Sequence, residues 1–504
     1  MKLTFNTFLI LLITVCGYSC VQKETKERSI PFKEEWSDLA KHKNNLEWFK
    51  DSKLGIYFHW GVYSVPEHGS EWYPFFLYQR NNNGVIKYHT KHYGAPDKFN
   101  YHDFIPMFKA SQFDANEWAG LFKTAGAKFA GLVAIHHDGF AMWDSKVNPW
   151  NSKDKGPHKD IVGDMAKALR KNDMKLITTF HHARNRQRHE GDSTKWFNYN
   201  SHFAYHPDYA TSSTDPDTAK FYGNLPEEQF DEYWFQQIKE VTDQYSPDII
   251  WFDSWLNLIP DAYRRKAVAY FFNKSKEKNP DALIISKQND LPHGIGVLDI
   301  EQGGKKDLSE SVWLSDFTLS KNSWCYVKGQ KYKSATLIVR NMIDVWSKNG
   351  IVLLNISPTA DGVIPQEQRE VLTTMGEWMH ANAEAVYETR PFDYSGFGTA
   401  KAEDGHFGGQ SSTVKYTKDD GRFLISKDRK TLYLFMLGKP DVNSEIEIRG
   451  LAKHDYFPEN GIKKITVLGD NTPVKWHMAL RNFILTVPDS KMNDIATVFK
   501  FELN

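Results

Sequence analysis

Short apolar runs alternate with stretches of helical period from about residue 45 to residue 385, and this alternation limits the choice of fold more than any other feature. The apolar runs are 54–59, 129–136, 175–181, 248–252, 282–286, 297–300 and 351–355. The helical stretches between them are 115–125, 165–172, 227–244, 262–276, 334–347 and 366–381. Most of the apolar runs are continuous, which is typical of parallel strands covered on both faces. Repeated strand–helix units over roughly 330 residues predict an α/β domain, a (β/α)8-like barrel, with a doubly wound sheet as the competing architecture.

Polar side chains follow the carboxyl ends of five of the predicted strands. In a barrel these ends meet at one mouth, where active sites lie. This placement favours the barrel over the doubly wound sheet and predicts one shared site. The side chains are His59, His136, His137, Asp138, His181, His182, Asp253 and Glu301.

After about residue 390 the helical period disappears, and short β-rich runs are separated by Gly, Asp and Asn turns. These runs are 421–426, 431–436, 465–468, 483–487 and 496–501. Their spacing predicts an antiparallel β-sandwich of about 110 residues. The predicted organisation is an export segment at 1–20, a tether and lead-in at 21–44, a catalytic barrel domain at 45–388 and a β-sandwich domain at 389–504.

The N-terminus has the pattern of an export signal. Lys2 precedes an apolar run, 8–16, that is too short to span a bilayer and leads into Gly17-Tyr-Ser-Cys20. This ending resembles the lipobox of bacterial lipoproteins, in which the cysteine is acylated and becomes the mature N-terminus. We expect an exported protein of the periplasm or outer membrane, held at the membrane only by a lipid on Cys20, with ordinary secretion as the alternative.

Charge and cysteine content argue against a nucleic-acid partner, a disulfide framework and a cysteine-ligated zinc site. Lys+Arg and Asp+Glu are both 63, so the formal net charge is zero, whereas a nucleic-acid partner would require a basic surface. We therefore expect no nucleic-acid partner. Two of the three cysteines, Cys16 and Cys20, lie in the export segment, which leaves Cys325 without a partner. Neither a disulfide framework nor a cysteine-ligated zinc site is expected.

Asp253 is the first candidate for catalysis. It follows Ile-Ile-Trp-Phe at the end of a predicted buried strand, and Trp251 and Trp255 flank it. A carboxylate on a barrel rim can act as a nucleophile or general base, and the neighbouring aromatic rings could face a sugar. The alternative from the local sequence is a helix N-cap or a loop carboxylate.

Glu301, after the predicted strand 297–300, is the best candidate for a second carboxylate. Retaining glycosidases need two carboxyl groups about 5–5.5 Å apart, one as nucleophile and one as acid/base. The ends of neighbouring barrel strands could present Asp253 and Glu301 at about that separation. The alternative is an ion pair between Glu301 and Lys305.

Histidines at the predicted mouth allow three interpretations. Neutral imidazoles donate and accept hydrogen bonds and so suit a polyhydroxylated ligand. They could also ligate a metal or be satisfied structural residues. No standard zinc spacing such as H-E-x-x-H is present, and sugar binding is favoured. The histidines are His59, His136, His137, His181 and His182.

Glu71 and Trp72 lie in a loop after the first predicted strand, within Gly69-Ser-Glu-Trp-Tyr73. A lone glutamate in a loop is usually a solvated surface residue. Beside two aromatic residues and close to the same mouth, Glu71 becomes a candidate acceptor for sugar hydroxyl groups.

Five segments resemble, in the same order, those of the α-L-fucosidases of glycoside hydrolase family 29. The likeness runs from about residue 45 to residue 390, and the C-terminal sandwich also fits the family. Several long motifs in one order are more specific than any single motif. The segments are WFKDSKLGIYFHWGVYSVP at 48–66, AIHHDGF at 134–140, WFD at 251–253, NSWCY at 322–326 and SKNGIVLLNISPTADG at 347–362.

The resemblance implies a retaining, metal-free glycosidase that needs no cofactor and acts on fucose-containing oligosaccharides or polysaccharides. It implies that Asp253 is the nucleophile, which attacks the anomeric carbon while a carboxylic acid protonates the leaving oxygen. It also implies a fucose pocket lined by His59, Glu71, Trp72, His136, His137 and Trp251.

The chain departs from the family at one catalytic position. Many relatives carry Trp-Glu before the Asn-Ser-Trp segment, and in some of them that glutamate is the acid/base. Here the dipeptide is Trp313-Leu314, and leucine cannot transfer a proton. The role is therefore assigned to Glu301, with Glu310 as a second choice.

Two further departures lie near the predicted mouth. The family's arginine after the fifth strand lacks a clean match in Ile285-Ser-Lys-Gln-Asn289. Where many relatives have a tyrosine after the strand 175–180, this chain has His181 and His182, which we include as pocket residues. These changes affect the expected linkage specificity more than the expected reaction.

The function favoured by the sequence is an exo-acting retaining α-L-fucosidase that releases terminal fucose. One alternative is a related retaining glycosidase that acts on α-L-galactosides or sulfated fucose polymers. The other, from a different class, is a non-catalytic carbohydrate-binding lipoprotein, which would explain the missing Trp-Glu dipeptide.

Overall fold

Eight parallel strands close into a barrel in the computed structural model of this chain. β8 pairs with β1, with Asn355 level with Tyr57, and this pairing closes the ring. The predicted (β/α)8-like barrel is confirmed, and the doubly wound alternative is wrong. The strands are β1 (Leu54–Phe58), β2 (Phe129–Ile135), β3 (Lys175–Phe180), β4 (Ile249–Phe252), β5 (Leu283–Ser286), β6 (Val297–Asp299), β7 (Trp313–Thr318) and β8 (Gly350–Ile356).

The structure describes residues 31–42, 46–79, 83–189, 191–196, 201–406, 413–449, 461–479 and 482–504. The predicted export segment 1–20, including Cys20, lies outside the described residues, and the tether and lead-in are described only for 31–42. Among the described residues, none of the helices has both the length and the apolar character needed to cross a bilayer. Cys325 is buried and has a free thiol.

β7 is the barrel strand that the sequence did not predict. Three of its six residues, Ser315, Asp316 and Thr318, are polar, so the run lacks the continuous apolar character of the other strands. All three are nevertheless fully buried. The Ser315 hydroxyl donates to the carbonyl of Gly303 at 2.7 Å, and Oδ2 of Asp316 accepts from the Tyr57 hydroxyl at 2.9 Å. Oδ1 of Asp316 has no hydrogen-bond partner among the described residues.

Helices surround the barrel, and local capping explains where several of them begin. The Asp114 and Asp160 carboxylates accept backbone N–H bonds at the starts of α5 and α6, and the Ser334 hydroxyl does so at α10. The helices are α1 (Trp36–Leu39), α2 (Glu47–Ser52), α3 (Tyr73–Leu77), α4 (Gly84–His92), α5 (Ala115–Thr124), α6 (Ile161–Lys171), α7 (Pro216–Tyr222), α8 (Glu227–Tyr245), α9 (Asp261–Lys278), α10 (Ala335–Ser347), α11 (Gln366–Ala381) and α12 (Ala383–Val386).

The connections on either side of β6 differ from an ideal barrel. Residues 287–296 and 300–312 are all described, and neither connection contains an α-helix. This part of the barrel is therefore built from loops. These loops carry Lys287 and Glu301, which line the pocket at the mouth of the barrel.

An apolar layer fills the interior of the barrel. It includes Phe129, Ile177, Leu283 and Ile351, each at most 2% exposed. Fully burying such a side chain stabilises the fold by about 1.5–3 kcal/mol. This layer fills the barrel below its mouth. The polar groups of the barrel interior therefore lie at the carboxyl ends of the strands.

The C-terminal region forms two antiparallel sheets, which confirms the predicted β-sandwich. The larger sheet has the order β9-β10-β11-β16-β13 and the smaller has the order β12-β15-β14. Phe423, Leu434, Ile448 and Phe483 pack into their shared core. The strands are β9 (Thr389–Phe397), β10 (Gly421–Ser426), β11 (Thr431–Met436), β12 (Glu445–Arg449), β13 (Ile462–Val467), β14 (Lys475–Ala479), β15 (Asn482–Thr486) and β16 (Thr497–Leu503).

Several contacts tie the sandwich to the barrel domain, among them a buried ion pair and a short β-ladder. On β10, Arg422 donates from Nε to Asp344 of α10 at 2.6 Å, and both side chains are buried. In the second contact, Gly405–His406 forms a short antiparallel ladder with Gly303–Gly304, which lies between β6 and β7.

Candidate active site

A pocket of about 510 Å³ opens at the carboxyl ends of the barrel strands. Nine of the ten predicted catalytic and substrate-binding residues line it: His59, Glu71, Trp72, His136, His137, His181, Trp251, Asp253 and Glu301. The remaining wall is formed by residues that the sequence did not single out as site residues: Tyr57, Ser254, Trp255, Lys287, Asp316 and Trp324.

Asp253 lies at the centre of the pocket floor, directly after β4. Its Oδ2 atom is 3.2 Å from Nε2 of His137 and 3.0 Å from Nδ1 of His181, and its Oδ1 atom is 3.1 Å from Nζ of Lys287. Burial alone would raise the pKa of Asp253, but Lys287 and the two imidazoles outweigh burial and hold the pKa well below its usual range. The carboxylate is therefore kept ionised and fixed in orientation.

Lys287 links the two candidate catalytic carboxylates. Its ammonium is 2.8 Å from Oε2 of Glu301 and 3.1 Å from Oδ1 of Asp253. Two oxygens bound to one nitrogen at these distances lie within about 6 Å of each other, close to the separation of about 5–5.5 Å in retaining glycosidases. The Glu301 side chain is 33% exposed, so it faces the open side of the pocket.

In the alternative interpretation Glu301 pairs with a nearby lysine such as Lys305, and the structure shows an ion pair with Lys287, not with Lys305. The Lys305 ammonium donates instead to the hydroxyl of Ser309 at 2.8 Å. Glu310, the second choice for the acid/base, lies in a separate groove on the outside of the barrel. Leu314, at the position of the family's glutamate, is fully buried in the interior layer.

His59 and His136 form the wall beside Asp253. Nδ1 of His59 donates to Oδ1 of Asn355 at 2.8 Å, which leaves Nε2 as an acceptor toward the pocket. Burial and the neighbouring His181 hold the pKa of His59 well below its ordinary value. Burial and the neighbouring His137 have the same effect on the pKa of His136. Neutral imidazoles of this kind can exchange hydrogen bonds with hydroxyl groups.

His137 and His181 are both bound to the same carboxylate oxygen, and within the described part of the chain only His181 has a hydrogen-bond partner on its second ring nitrogen. The Thr179 hydroxyl lies 3.1 Å from Nε2 of His181 and fixes the orientation of that ring. Burial lowers the pKa of His137 to about 4, although the hydrogen bond to Asp253 acts in the opposite direction. Asp253 therefore holds both imidazole rings in the wall of the pocket.

Glu71 is a buried acid on the opposite wall, with a side chain 3% exposed. Its Oε2 atom accepts from the Trp324 backbone N–H at 3.3 Å and from the Ser323 hydroxyl at 3.5 Å. Burial raises the pKa of Glu71 to about 7. The placement fits the predicted role as a hydroxyl acceptor.

Aromatic rings form the upper wall of the pocket. The rings of Trp72 and Trp255 meet edge to face with centroids 6.0 Å apart. The Arg184 guanidinium lies 4.6 Å from the Trp72 ring centroid and 4.1 Å from that of Trp255. A fully buried cation between two indoles restricts both rings and gives this wall a fixed shape.

Left-handed backbone follows the functional residue on three successive strands. Trp255 lies two residues after Asp253 with φ 68°, Gln288 follows Lys287 with φ 56°, and Gln302 follows Glu301 with φ 44°. Each such non-glycine residue costs about 1 kcal/mol or more. The chain therefore turns sharply as soon as each functional side chain has been placed.

His182 is the predicted pocket residue that the structure places elsewhere. It stacks on Trp234, with ring centroids 6.0 Å apart, and its Nε2 atom is 3.4 Å from the Trp234 carbonyl oxygen. The residue after His181 begins a 3-10 turn, which points the two rings in different directions. The prediction that His182 lines the pocket is therefore wrong.

Some nitrogen and oxygen atoms of the pocket are close enough to share a cation. The ligand atoms of His59, His136 and His181 lie within 4.8 Å of one another, as do those of His137, His181 and Asp253. Imidazole and carboxylate ligands suit first-row transition metals. The same atoms also suit the hydroxyl groups of a sugar, and the sequence interpretation favoured the sugar.

Lys287 is the main functional residue that the sequence interpretation missed. A signal for it was present, because Lys287 follows β5 directly, just as Asp253 follows β4. His202 is a second missed residue. Its ring centroid is 5.1 Å from that of His137 and 5.4 Å from that of Trp72. It comes from a loop, and nothing in its local sequence indicates this position.

Comparison with known proteins gives a consistent result. The sequence profile of a family described as alpha-L-fucosidase matches residues 19–384. Tissue alpha-L-fucosidase of Homo sapiens is 31% identical over 445 residues, which cover 85% of this chain and 82% of that protein. The tissue enzyme of Rattus norvegicus is 32% identical over 356 residues, covering 68% and 70% respectively.

Solved structures agree with the sequence matches. Thermotoga maritima alpha-fucosidase in complex with fucose has a TM-score of 0.72 at 26% identity, covering 93% of this chain and 100% of that one. The same protein with a mechanism-based inhibitor has a TM-score of 0.73 at 26% identity, covering 94% and 100%.

Proposed function

Because this chain belongs to the α-L-fucosidase family and is a glycoside hydrolase, we propose that it is an exo-acting retaining α-L-fucosidase with Asp253 as its nucleophile. The observation that supports this most directly is the environment of Asp253. Three donors hold one ionised carboxylate on the floor of a pocket, and a second carboxylate, Glu301, shares one of those donors. A double displacement needs this combination.

In the first step, one oxygen of Asp253 attacks the anomeric carbon of the bound sugar as the glycosidic C–O bond breaks. Glu301, in its protonated form, gives its proton to the departing oxygen. Because Glu301 is on the exposed side of the pocket, the leaving group departs toward solvent. The product of this step is a glycosyl ester on Asp253.

In the second step, a water molecule enters from the open side and Glu301, now a carboxylate, takes its proton. The water oxygen attacks the anomeric carbon, and the C–O bond to Asp253 breaks and returns the electron pair to the carboxylate. Two inversions at one carbon give net retention.

The walls of the pocket favour one terminal sugar residue. His59, His136 and Glu71 offer acceptors and donors to its hydroxyl groups. The fixed indoles of Trp72 and Trp255 offer apolar surface to the faces and the methyl group of fucose.

The function is tested with the full chain on 4-nitrophenyl α-L-fucoside. We expect hydrolysis in which the α anomer of fucose appears first by NMR. Asp253→Gly should lower kcat by about a thousandfold or more, and azide should restore turnover with β-L-fucosyl azide as the product. Unchanged turnover in Asp253→Gly would show that the nucleophile is another residue.

Glu301→Gln and Glu310→Gln form a matched pair for the acid/base. The first should lower kcat on 4-nitrophenyl α-L-fucoside by about a hundredfold or more, and the second should leave it within about twofold. Faster hydrolysis of the α-L-galactoside would contradict the fucose assignment. Binding of L-fucose without hydrolysis of any glycoside would contradict the enzymatic function.

We also propose that the protein is exported and anchored through a lipid on Cys20. The support is the sequence pattern of the N-terminus, with its short apolar run ending at Gly17-Tyr-Ser-Cys20. Mass spectrometry of the mature N-terminus in a bacterial host should show an acylated Cys20. Cys20→Ser should release the protein from the membrane fraction, and an unmodified terminus beyond Cys20 would contradict the proposal.

A further inference from the structure

One ammonium group lies within 3.9 Å of four carboxyl groups at the floor of the pocket. Nζ of Lys287 lies 2.8 Å from Glu301, 3.1 Å from Asp253, 3.4 Å from Asp316 and 3.9 Å from Asp299. The lysine side chain is 7% exposed, and those of Asp299 and Asp316 are almost fully buried. Four consecutive strands, β4 to β7, and the loop after β6 contribute these groups. The arrangement is therefore a property of the barrel as a whole.

The surroundings of Lys287 hold its ammonium in place. The Trp251 ring centroid lies 4.7 Å from Nζ, and the Trp324 ring centroid lies 5.9 Å from it. Oδ2 of Asp316, which faces the ammonium, also accepts from the Tyr57 hydroxyl at 2.9 Å. A change in the charge of one carboxyl group therefore changes how strongly the ammonium is attracted to the others.

Asp299 and Asp316 form a buried carboxyl pair under the lysine. The Asp316 backbone N–H donates to Oδ1 of Asp299 at 3.1 Å, while Oδ2 of Asp299 has no hydrogen-bond partner among the described residues. Burial and the neighbouring Asp316 raise the pKa of Asp299 well above its ordinary value. Asp299 is thus the member of the cluster that keeps a proton, and the lysine is left to Asp253, Glu301 and Asp316.

We propose that Lys287 is a positioning residue whose charge acts on Asp253 in the first step and on Glu301 in the second. This inference rests on the proposed double displacement. In the free enzyme the ammonium is shared between the two carboxyl groups, at 3.1 Å from Asp253 and 2.8 Å from Glu301.

The change in charge follows from the chemistry of the two steps. When Asp253 forms its bond to the anomeric carbon and Glu301 gives its proton to the leaving oxygen, the negative charge moves from Asp253 to Glu301. The glycosyl ester on Asp253 carries no charge, so Lys287 then attracts Glu301 and holds it as the carboxylate base. When the ester bond breaks, the charge returns to Asp253 and Glu301 keeps the proton taken from water.

Lys287→Met removes the charge and keeps most of the side-chain volume, and it tests the inference on 2,4-dinitrophenyl α-L-fucoside. This leaving group needs no proton, so the first step loses only the effect of the ammonium on Asp253, while the second still needs its base. We expect kcat to fall at least tenfold and KM to fall with it, so that kcat/KM falls less than kcat. Azide, which needs no base, should accelerate the variant at least tenfold, and intact-mass spectra should show enzyme carrying one fucosyl residue.

Three comparisons complete the experiment. Lys287→Arg retains the cation and should keep kcat within about threefold of the wild type. Lys287→Gln, with a smaller polar side chain, should repeat the effect of Lys287→Met if the latter folds poorly. Lys348→Met removes a second buried lysine, bound to Asp344 at 2.8 Å on the outside of the barrel, and should show neither the fall in KM nor the response to azide.

The outcomes separate this inference from the function on which it rests. Equal losses in kcat and kcat/KM with no response to azide would overturn the role of Lys287 in the second step. The same kinetic signature in Lys348→Met would also overturn it, because the effect would then reflect general loss of a buried ion pair. A wild-type protein that hydrolyses no aryl α-L-fucoside would overturn the proposed function and this inference together.

Discussion

At the scale of single residues, burial gives Glu71 a pKa that should be visible in the stability of the protein. The pKa of about 7 in the folded state lies above the value of about 4.3 for an exposed glutamate. Between these two pH values the folded state holds a proton that the unfolded state has released. The contribution of Glu71 to stability is therefore full below about pH 4.3 and is lost as the pH rises to about 7.

Glu71→Gln removes this titration, so the variant provides the measurement. The free energy of unfolding of the wild type, minus that of Glu71→Gln, should fall by roughly 3 kcal/mol between pH 4.5 and pH 7.5 and then stay constant. Urea unfolding at four pH values measures this difference. A difference that does not change with pH would show that Glu71 titrates normally in the folded protein.

Sequence patterns identified Asp253 and Glu301 as site residues but did not identify Lys287. Asp253 follows an apolar strand and is flanked by tryptophans, so both its position and its neighbours mark it. Lys287 follows a strand in the same way, but a lysine in a polar loop is usually a solvated side chain. Asp299 and Asp316 were missed because their role depends on a partner from another strand. The contact of these two carboxyl groups with Lys287 depends on how the strands pair, which a single sequence does not show.

At the scale of elements, the ladder between Gly303–Gly304 and Gly405–His406 fixes the loop that carries Glu301. A Cβ atom added to Gly303 would lie 2.3 Å from the Gly405 carbonyl oxygen, so the two segments would have to separate. We expect Gly303→Ala to lower kcat on 4-nitrophenyl α-L-fucoside by about ten- to a hundredfold, because a shift of about 1 Å misplaces the acid.

Gly84→Ala is the matched control, since a Cβ at Gly84 meets no atom within 4 Å. It lies at the start of α4 and should leave kcat unchanged. On 2,4-dinitrophenyl α-L-fucoside, whose leaving group needs no proton, the first step of Gly303→Ala should be less affected. Full activity of Gly303→Ala on both substrates would mean that the ladder does not position Glu301.

The elements themselves could be predicted where their composition matches their environment. The seven predicted strands are all present, because most of them are apolar on both faces, as a covered parallel strand requires. β7 was missed because Asp316 faces Lys287 and Ser315 bonds to a loop carbonyl. The same polar residues that serve the site thus weaken the pattern by which a strand is recognised.

At the scale of the whole molecule, the buried ion pair of Arg422 and Asp344 joins the two domains. The Arg422 guanidinium also donates to the carbonyls of Phe397 and Ala400 at 3.0 Å each. Arg422→Met leaves a buried carboxylate with Lys348 alone and should lower the free energy of unfolding by about 3–5 kcal/mol. Urea unfolding followed by circular dichroism measures the loss.

Arg429→Met is the comparison for an exposed pair. Arg429 lies 3.4 Å from Asp393 with both side chains more than 40% exposed. Its loss should cost less than about 1 kcal/mol, since solvent screens such pairs. Equal costs for the two variants would show that the contact between the domains contributes little to stability. The two-domain arrangement itself could be predicted, because the helical period stops where the sandwich begins, but the residues that join the domains could not.

The missing helices on both sides of β6 have an evolutionary consequence. Insertions and deletions are tolerated best where the chain runs as loop, because the entropy of loop closure changes slowly with length. In this barrel the loop-built sector is also the one that carries Lys287 and Glu301. A lineage can therefore alter the spacing of its acid and its cation there while the strand that bears Asp253 stays the same. Divergence in leaving-group preference should accumulate first in this sector.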